Sequence, residues 1–351
     1  MNTRRAPLFV AILLPVLLLG CDKFVKQESE NLAPFAQQTI DLIGTLEYSL
    51  SDLHVLYLRT ITDYIEEEDP YARYLALENQ VGNMLAAVVT YSLQIVAISE
   101  QNITENEKAN KLADVVIALV ELIQKDQVIP NENIDSEMIE ETVAQVRQSE
   151  EYLEALRLML PLINEFSAHA GRVLDELRNE KQRLAIMIEE AIDSKYGSAM
   201  AMQKELRLFK DDMYQTLINL SQYSITRDTV YFEKMKSYGM FPVVFATRNK
   251  KSLNAQELYR LHKDLTDNLS VANENYEQLL PDVTAYHEHH QELAALLEYK
   301  EDAIREARQT FVVWSRAYQK MAGGKTDPAE WFDISESGQL LFGIAKKAAG
   351  I

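Results

Sequence analysis

The sequence predicts an all-α, elongated protein, in which a small helical bundle is followed by a long antiparallel coiled-coil hairpin. Helix breakers are scarce, with 11 glycines and 9 prolines among 351 residues. Three long stretches, 83–129, 198–238 and 282–322, contain neither residue. They are rich in Leu, Ala, Glu, Gln and Lys, which favour helix. No stretch alternates apolar and polar residues as a half-buried strand would.

Residues 31–126 are expected to form the small helical bundle. In the first helical region, which ends near residue 65, apolar side chains recur three and four residues apart and so share one helix face. A second helix is expected over 72–99. Thr104 and Glu107 have the spacing of a capping box and are expected to start the third helix, which ends near residue 125.

The second helix of this bundle includes an uncharged stretch, 79–99, that is long enough to suggest a membrane span. Gln80 and Ser92 are among several polar side chains that hydrocarbon would leave poorly solvated. Neither flank carries the excess of lysine and arginine that marks a cytoplasmic side. We therefore expect a core helix.

Residues 127–134 read as a linker, and 135–325 as the long hairpin. Fourteen positions from Tyr276 to Met321 follow a 3-4 spacing and twelve are apolar, which indicates a coiled-coil seam. A matching pattern runs over 139–188. Two such seams in one chain are expected to pair with each other in antiparallel orientation. The alternative is that the seams of two chains pair and form a homodimer. Pro161 and Pro281 are expected to kink or break their helices.

The turn of this hairpin, near 237–251, is unusually apolar over 238–246, and Arg248, Lys250 and Lys251 follow that run. If it forms an exposed tip, its apolar side chains are candidate contacts for a partner protein. The candidates are Phe241, Val244 and Phe245. The alternative is that the segment folds back on the bundle or continues a helix.

The C-terminal segment, 326–351, is expected to begin with a short helix. Asp327 and Pro328 suit an N-cap and a first helical position. The remaining apolar and basic residues suit docking on the bundle, or alternatively binding to a partner or a membrane surface.

The N-terminus has the features of an export signal. Arg4 and Arg5 precede an uncharged apolar run, 7–19, that is shorter than the roughly 20 residues of a membrane-spanning helix. Leu18, Leu19 and Gly20 then precede the only cysteine of the chain, Cys21.

This arrangement resembles the lipobox of bacterial lipoprotein precursors. The resemblance implies that residues 1–20 are removed and that Cys21 becomes the acylated N-terminus, followed by a tether over 21–30. Two or more acyl chains hold a protein stably at a membrane. Asp22 resembles the signal that retains lipoproteins in the inner membrane of enteric bacteria. The expected location is the periplasmic face of the inner membrane of a Gram-negative bacterium.

Charge and cysteine content narrow the function. The net charge is −19, and loss of Arg4 and Arg5 with the leader would make it −21. Such acidity argues against nucleic-acid binding. With Cys21 acylated, no thiol remains for an internal disulfide. No cofactor is expected.

Catalytic motifs are weak. His287 and His290 are three residues apart and are weak candidates for a metal site, because a zinc-protease helix needs histidines four apart. Gly324-Lys325-Thr326 lacks the first glycine of a phosphate-binding loop. We expect no enzyme activity and assign no catalytic residue.

The expected function is that of a membrane-anchored scaffold or accessory subunit, which acts through protein–protein contacts in the cell envelope. One alternative is a ligand-binding or sensor lipoprotein with a pocket around 81–98. A metal-dependent enzyme is the third hypothesis.

Overall fold

The computed structural model describes residues 32–44, 56, 59, 70–124, 127–325 and 327–332. All regular structure in these residues is helical, with no strand among them, so the all-α prediction is confirmed. In chain order the helices are α1 (Ala33–Gly44), α2 (Pro70–Ser99), α3 (Glu105–Gln124), α4 (Ser136–Gln148), α5 (Tyr152–Leu158), α6 (Leu160–Thr226), α7 (Thr229–Ser237), α8 (Phe241–Thr247), α9 (Ala255–Ala322) and α10 (Pro328–Trp331).

Helix α2 carries the uncharged stretch. In the described part of the chain it is the one helix long and apolar enough to cross a membrane, a property that core helices of soluble proteins share. It packs against α1, α3 and α6, and Leu77, Val88 and Ile95 are fully buried. Ser92 accepts a hydrogen bond from Trp314 Nε1 at 3.0 Å. The buried Ser92 thus has a polar partner inside the protein.

A buried glutamine on α2 holds the linker in place. Gln80 Nε2 donates to the Ile129 carbonyl at 3.0 Å. Its Oε1 accepts from the N–H groups of Val128 and Ile129 at 3.0 and 3.2 Å. The linker is non-helical, as predicted, and this side chain replaces the backbone partners that a helix would supply.

Replacing Gln80 with leucine should lower the free energy of unfolding by about 1–3 kcal/mol, because three hydrogen bonds of the linker backbone are lost. Urea unfolding at pH 7 measures the change. Gln256→Leu, at an exposed position on α9, is the matched control and should change stability by no more than about 0.5 kcal/mol. Equal effects of the two substitutions would show that the linker does not depend on Gln80.

The long helices α6 and α9 run antiparallel. They have 67 and 68 residues, or about 100 Å each at 1.5 Å per residue. They form the most extensive helix pair in the described residues. Asp175 on α6 contacts Arg308 on α9. Further along α6, Asp193 lies 3.3 Å from His290, so positions rise along one helix as they fall along the other.

The two seam patterns fare differently. All fourteen seam positions of α9 are buried or half-buried. The pattern over 139–188 is divided among three helices, α4, α5 and α6. Its first part, on α4, was expected to pair with α9; this was wrong, because α4 packs mainly against α3 and α5. Ser149 ends α4 in an extended conformation, and Asn106 on α3 donates to its carbonyl at 3.0 Å.

The two prolines also differ. Pro161 lies in the first turn of α6, just after the break at Met159, where it removes no intrahelical hydrogen bond. Helix α9 continues through Pro281, so it does not break there, and the alternative of a kink at Pro281 stays a prediction. Pro281 and Glu277, whose carbonyl loses its helical partner, are both exposed, and water can bond to that carbonyl.

One apolar core, called here the proximal core, joins the first half of the chain to one end of the long helices. It extends from Leu32 to Phe332. Tyr318 on α9 lies with its hydroxyl 2.9 Å from that of Tyr91 on α2, and donates to the Leu156 carbonyl at 3.0 Å. The described residues within 31–126 therefore share their core with α6 and α9, and the folding of 31–126 as an independent unit stays a prediction.

The start of the C-terminal segment also packs on this core. Helix α10 begins at Pro328, as predicted. The rings of Trp331 and Phe332 lie 6.4 and 5.7 Å from that of Phe35 on α1. Residues 333–351 lie outside the described residues, and with them 339–351, for which docking on the bundle or binding to a partner or membrane was predicted.

A second apolar core, the distal core, lies at the other end of the long helices. It is formed by residues of α6, α7, α8 and α9 together with Met240 and Leu253: Met213, Leu220, Tyr223, Phe232, Met235, Val243, Leu258, Leu261, Leu265, Leu269 and Ala272. Between the two cores, 193–212 of α6 and 273–292 of α9 contribute only Ala199 and Val283 as buried residues. A two-helix stalk thus links the cores.

Candidate functional site

At the distal end the chain reverses through two short helices. Arg227 ends α6 in the left-handed region, with φ at 60°. Asp228 then starts α7 by accepting a hydrogen bond from the Val230 N–H at 2.9 Å. Gly239, with φ at 64°, separates α7 from α8 and supplies a conformation that other residues adopt with strain.

Helix α8 has one buried and one exposed apolar face. Val243 and Thr247 are buried against the distal core, and Met240 just before the helix joins them. The opposite face holds Phe241, Val244 and Phe245, which are 80%, 48% and 76% exposed. We call these three side chains the distal patch.

The distal patch consists of the three partner-contact candidates predicted from the sequence. The alternative was that this segment folds back on the bundle or continues a helix; its other face is in fact buried against the distal core. Because positions i, i+3 and i+4 share a helix face, the three side chains form one ridge. The rings of Phe241 and Phe245 stack with centroids 6.3 Å apart. Exposed apolar side chains that lie together mark interaction sites more often than isolated ones.

The charge around the distal patch is opposite to that of the chain. Residues 227–251 contain six basic and two acidic residues, a net charge of +4 on a chain of −19. Lys250 pairs with Glu257 at 2.6 Å, and this contact lowers the pKa of that carboxyl. Arg248 and Lys251 are exposed, and the described contacts include no ion pair for either. Two basic side chains thus remain available beside the patch.

Comparison with known proteins gave no match among protein-family models, curated proteins or solved structures. The functional argument therefore depends on the residues of this chain. At the distal patch, exposed apolar side chains lie together on one helix face and adjoin the exposed Arg248 and Lys251.

The weak metal-ligand candidates lie in the stalk. His290 Nε2 is 3.3 Å from Asp193 Oδ1, and its ring lies 4.4 Å from that of Tyr286. His287 is exposed. Within the described ranges, no group of three His, Cys, Asp or Glu side chains is arranged to hold a metal ion. His290 instead makes a polar contact between α6 and α9.

The sensor alternative required a pocket around 81–98. Two open grooves are described, of about 430 and 450 Å³, and neither is lined by a residue of α2. The smaller lies at the distal end, between Ile225 on α6 and Tyr259 on α9, which are 79% and 74% exposed. Sequence reasoning missed both side chains, because it sought contact residues only in the turn near 237–251, and both lie outside that range.

Sequence reasoning also missed a buried ion pair between the two halves of the chain. Lys300 on α9 and Glu78 on α2 are almost fully buried, with Nζ and Oε1 3.1 Å apart. Burial raises the pKa of Glu78, and Lys300 opposes that rise. Burial, and then the charge of Glu78, raise the pKa of the neighbouring Tyr74. The available signal was a lysine at a seam position, for which the sequence could not name a partner.

The predicted lipid anchor belongs to a part of the chain that the structure does not describe. Cys21 and Asp22 are outside the described residues, as are the tether and the leader. Lipidation and sorting therefore stay predictions from the sequence.

Proposed function

We propose that the protein is a membrane-anchored, exported lipoprotein that acts as a helical scaffold or accessory subunit through protein–protein contacts in the cell envelope. The observation that carries this proposal is the distal patch, exposed at the far end of the α6–α9 pair. Phe241, Val244 and Phe245 are its contact residues. The protein is proposed to lie at the periplasmic face of the inner membrane and to need no cofactor.

Geometry supports a presenting role. Helix α1, the described helix nearest the lipobox, packs in the proximal core. The 67 residues of α6 run from Leu160 beside that core to Thr226 at the distal end, or about 100 Å along the helix. An anchor at Cys21 would thus hold one end of the molecule while the distal patch is displayed far from it.

The α6–α9 pair is proposed to be a coiled-coil hairpin that sets this distance. The seam of α9 supports pairing within one chain, since its positions face the interior next to α6. A homodimer through the same seam would require opening this pair. A purified mature chain should therefore be monomeric and have a hydrodynamic radius well above that of a compact protein of its mass. A compact particle would contradict the hairpin.

The anchor can be tested by replacing Cys21 with alanine. Without the thiol no diacylglycerol can be attached, and the chain should move from the membrane pellet to the soluble fraction after cell lysis. Labelled palmitate should be incorporated into the unmodified protein and be absent from the variant. Ser51→Ala, which leaves the leader and Cys21 intact, should keep both membrane association and label. Membrane retention of Cys21→Ala would show that another segment anchors the protein.

The scaffold role is tested by lysine-reactive cross-linking in intact membranes, followed by mass spectrometry. At least one envelope protein should be linked to the chain reproducibly. A ligand-dependent rise in melting temperature with no cross-linked partner would favour the sensor alternative instead.

A further inference from the structure

We infer that the partner of the distal patch is a protein with an apolar groove bordered by carboxylates, into which α8 inserts its exposed face. This inference rests on the proposed function and names the chemistry of the partner surface. The observations that carry it are the shape of the ridge, its rigid support and the charges beside it.

The ridge has the form of a helix that binds in a groove. Such helices present anchors at i, i+3 and i+4, as Phe241, Val244 and Phe245 do. Aromatic side chains, phenylalanine among them, are enriched at the cores of protein interfaces. The two phenyl rings are already stacked, with an interplanar angle of 25°.

Helix α8 is anchored on the distal core by the buried Met240 and Val243, and a helix that is already formed and packed loses less entropy on binding. Val243 is fully buried, and the Thr247 hydroxyl donates to its carbonyl at 2.8 Å. The Val244 N–H donates to the Met240 carbonyl at 2.8 Å. The exposed face is therefore presented in one orientation.

The basic side chains beside the distal patch favour a partner surface that carries carboxylates. Arg248 follows α8 directly and Lys251 lies three residues beyond, both exposed. Lys250 is engaged by Glu257, which leaves these two side chains to meet carboxylates on a partner. Complementary charges at the rim of an interface favour encounter and reject partners of like charge. Two copies of this patch would bring like charges together, which argues against a symmetric contact between tips.

The test uses the full chain with a photoreactive benzoylphenylalanine in place of Val244, illuminated in intact membranes of the producing cell. We expect a discrete protein adduct. The partner, once identified and purified, is then titrated with the mature chain. Arg248→Glu/Lys251→Glu and Phe241→Ser/Phe245→Ser should each weaken binding on the order of 10- to 100-fold.

Matched controls lie on the stalk. Lys204→Glu/Arg207→Glu reverses two exposed basic side chains, and Met202→Ser/Leu208→Ser removes two exposed apolar ones. Both should leave the affinity within about twofold. Because all the substituted residues are exposed, melting temperatures should stay close to that of the unmodified chain. Lysine substitutions at carboxylates of the partner groove should restore binding to the charge-reversed chain.

Four results would overturn the inference: no adduct at position 244, adducts with lipid alone, self-association of the purified chain that depends on the patch, or affinity insensitive to charge reversal. The proposed function fails separately. If lysine-reactive cross-linking finds protein partners on other surfaces, the scaffold stands and only the tip assignment is lost. If it finds none anywhere, the scaffold itself is wrong.

Discussion

Replacing Lys300 with methionine is expected to lower the free energy of unfolding by about 3–5 kcal/mol, the largest effect that we predict. Lys300 is 1% exposed, and its Nζ lies 3.1 Å from Glu78 Oε1. Methionine fills a similar volume without a charge. Glu78 is then left buried without its counter-ion, and it must either stay charged at a high desolvation cost or take up a proton.

A double substitution separates charge from packing. Glu78→Met/Lys300→Met removes both charges and should recover most of the loss, because a buried ion pair can be replaced by apolar residues at little cost. Lys204→Met, at an exposed position on α6, is the control for the substitution itself and should have an effect below about 0.5 kcal/mol. A double variant as unstable as the single one would show that packing of the lysine stem matters and the charge does not.

Urea unfolding measured by tryptophan fluorescence suits this comparison, because both tryptophans, Trp314 and Trp331, lie in the proximal core. The pH dependence gives a second check. Burial raises the pKa of Glu78, and loss of Lys300 should raise it further. A carboxyl with a raised folded pKa gains stability as pH falls towards its unfolded value. The deficit of Lys300→Met should therefore shrink as the pH is lowered from 7 towards 4.5, the ordinary pKa of a glutamate.

Local patterns predicted the helices well. The capping box of Thr104 and Glu107 is present, with the Thr104 N–H donating to Glu107 at 2.8 Å and the Glu107 N–H donating back at 3.2 Å. The 3-4 spacing identified the buried face of α9 because that face repeats for its whole length. These signals depend on residues close in sequence, which is why they can be read without a structure.

Contacts between distant segments could not be predicted in the same way. Lys300 was visible as an interruption of a seam, but its partner Glu78 lies 222 residues away. The apolar pattern of 139–188 did not reveal that α4 packs against α3 and not against α9, since either neighbour would bury the same side chains. For the distal patch, composition indicated an apolar tip, whereas the division into buried Val243 and exposed Val244 depends on how α8 packs against the distal core.

Acidification from pH 7.5 to pH 5 is expected to destabilise the protein by about 2 kcal/mol through His169 alone. His169 is fully buried on α6, and burial lowers its pKa from 6.5 to about 4. The neighbouring Arg172 opposes protonation as well, whereas Glu165 favours it. The unfolded chain binds a proton near pH 6.5 and the folded chain only near pH 4. Stability is therefore unaffected above this range and lost as pH falls through it.

The variant His169→Leu should abolish this part of the pH dependence. Both ring nitrogens of His169 lack a hydrogen-bond partner, so the leucine variant should be as stable at pH 7.5 or more stable by about 1 kcal/mol. Its advantage should grow by about 2 kcal/mol at pH 5, measured by urea unfolding at both pH values. His262→Leu, at an exposed position on α9, should follow the unmodified protein. Parallel pH profiles for the unmodified chain and His169→Leu would mean that His169 is protonated as readily in the folded state as in the unfolded one, and that the interior around α6 admits water or a counter-charge.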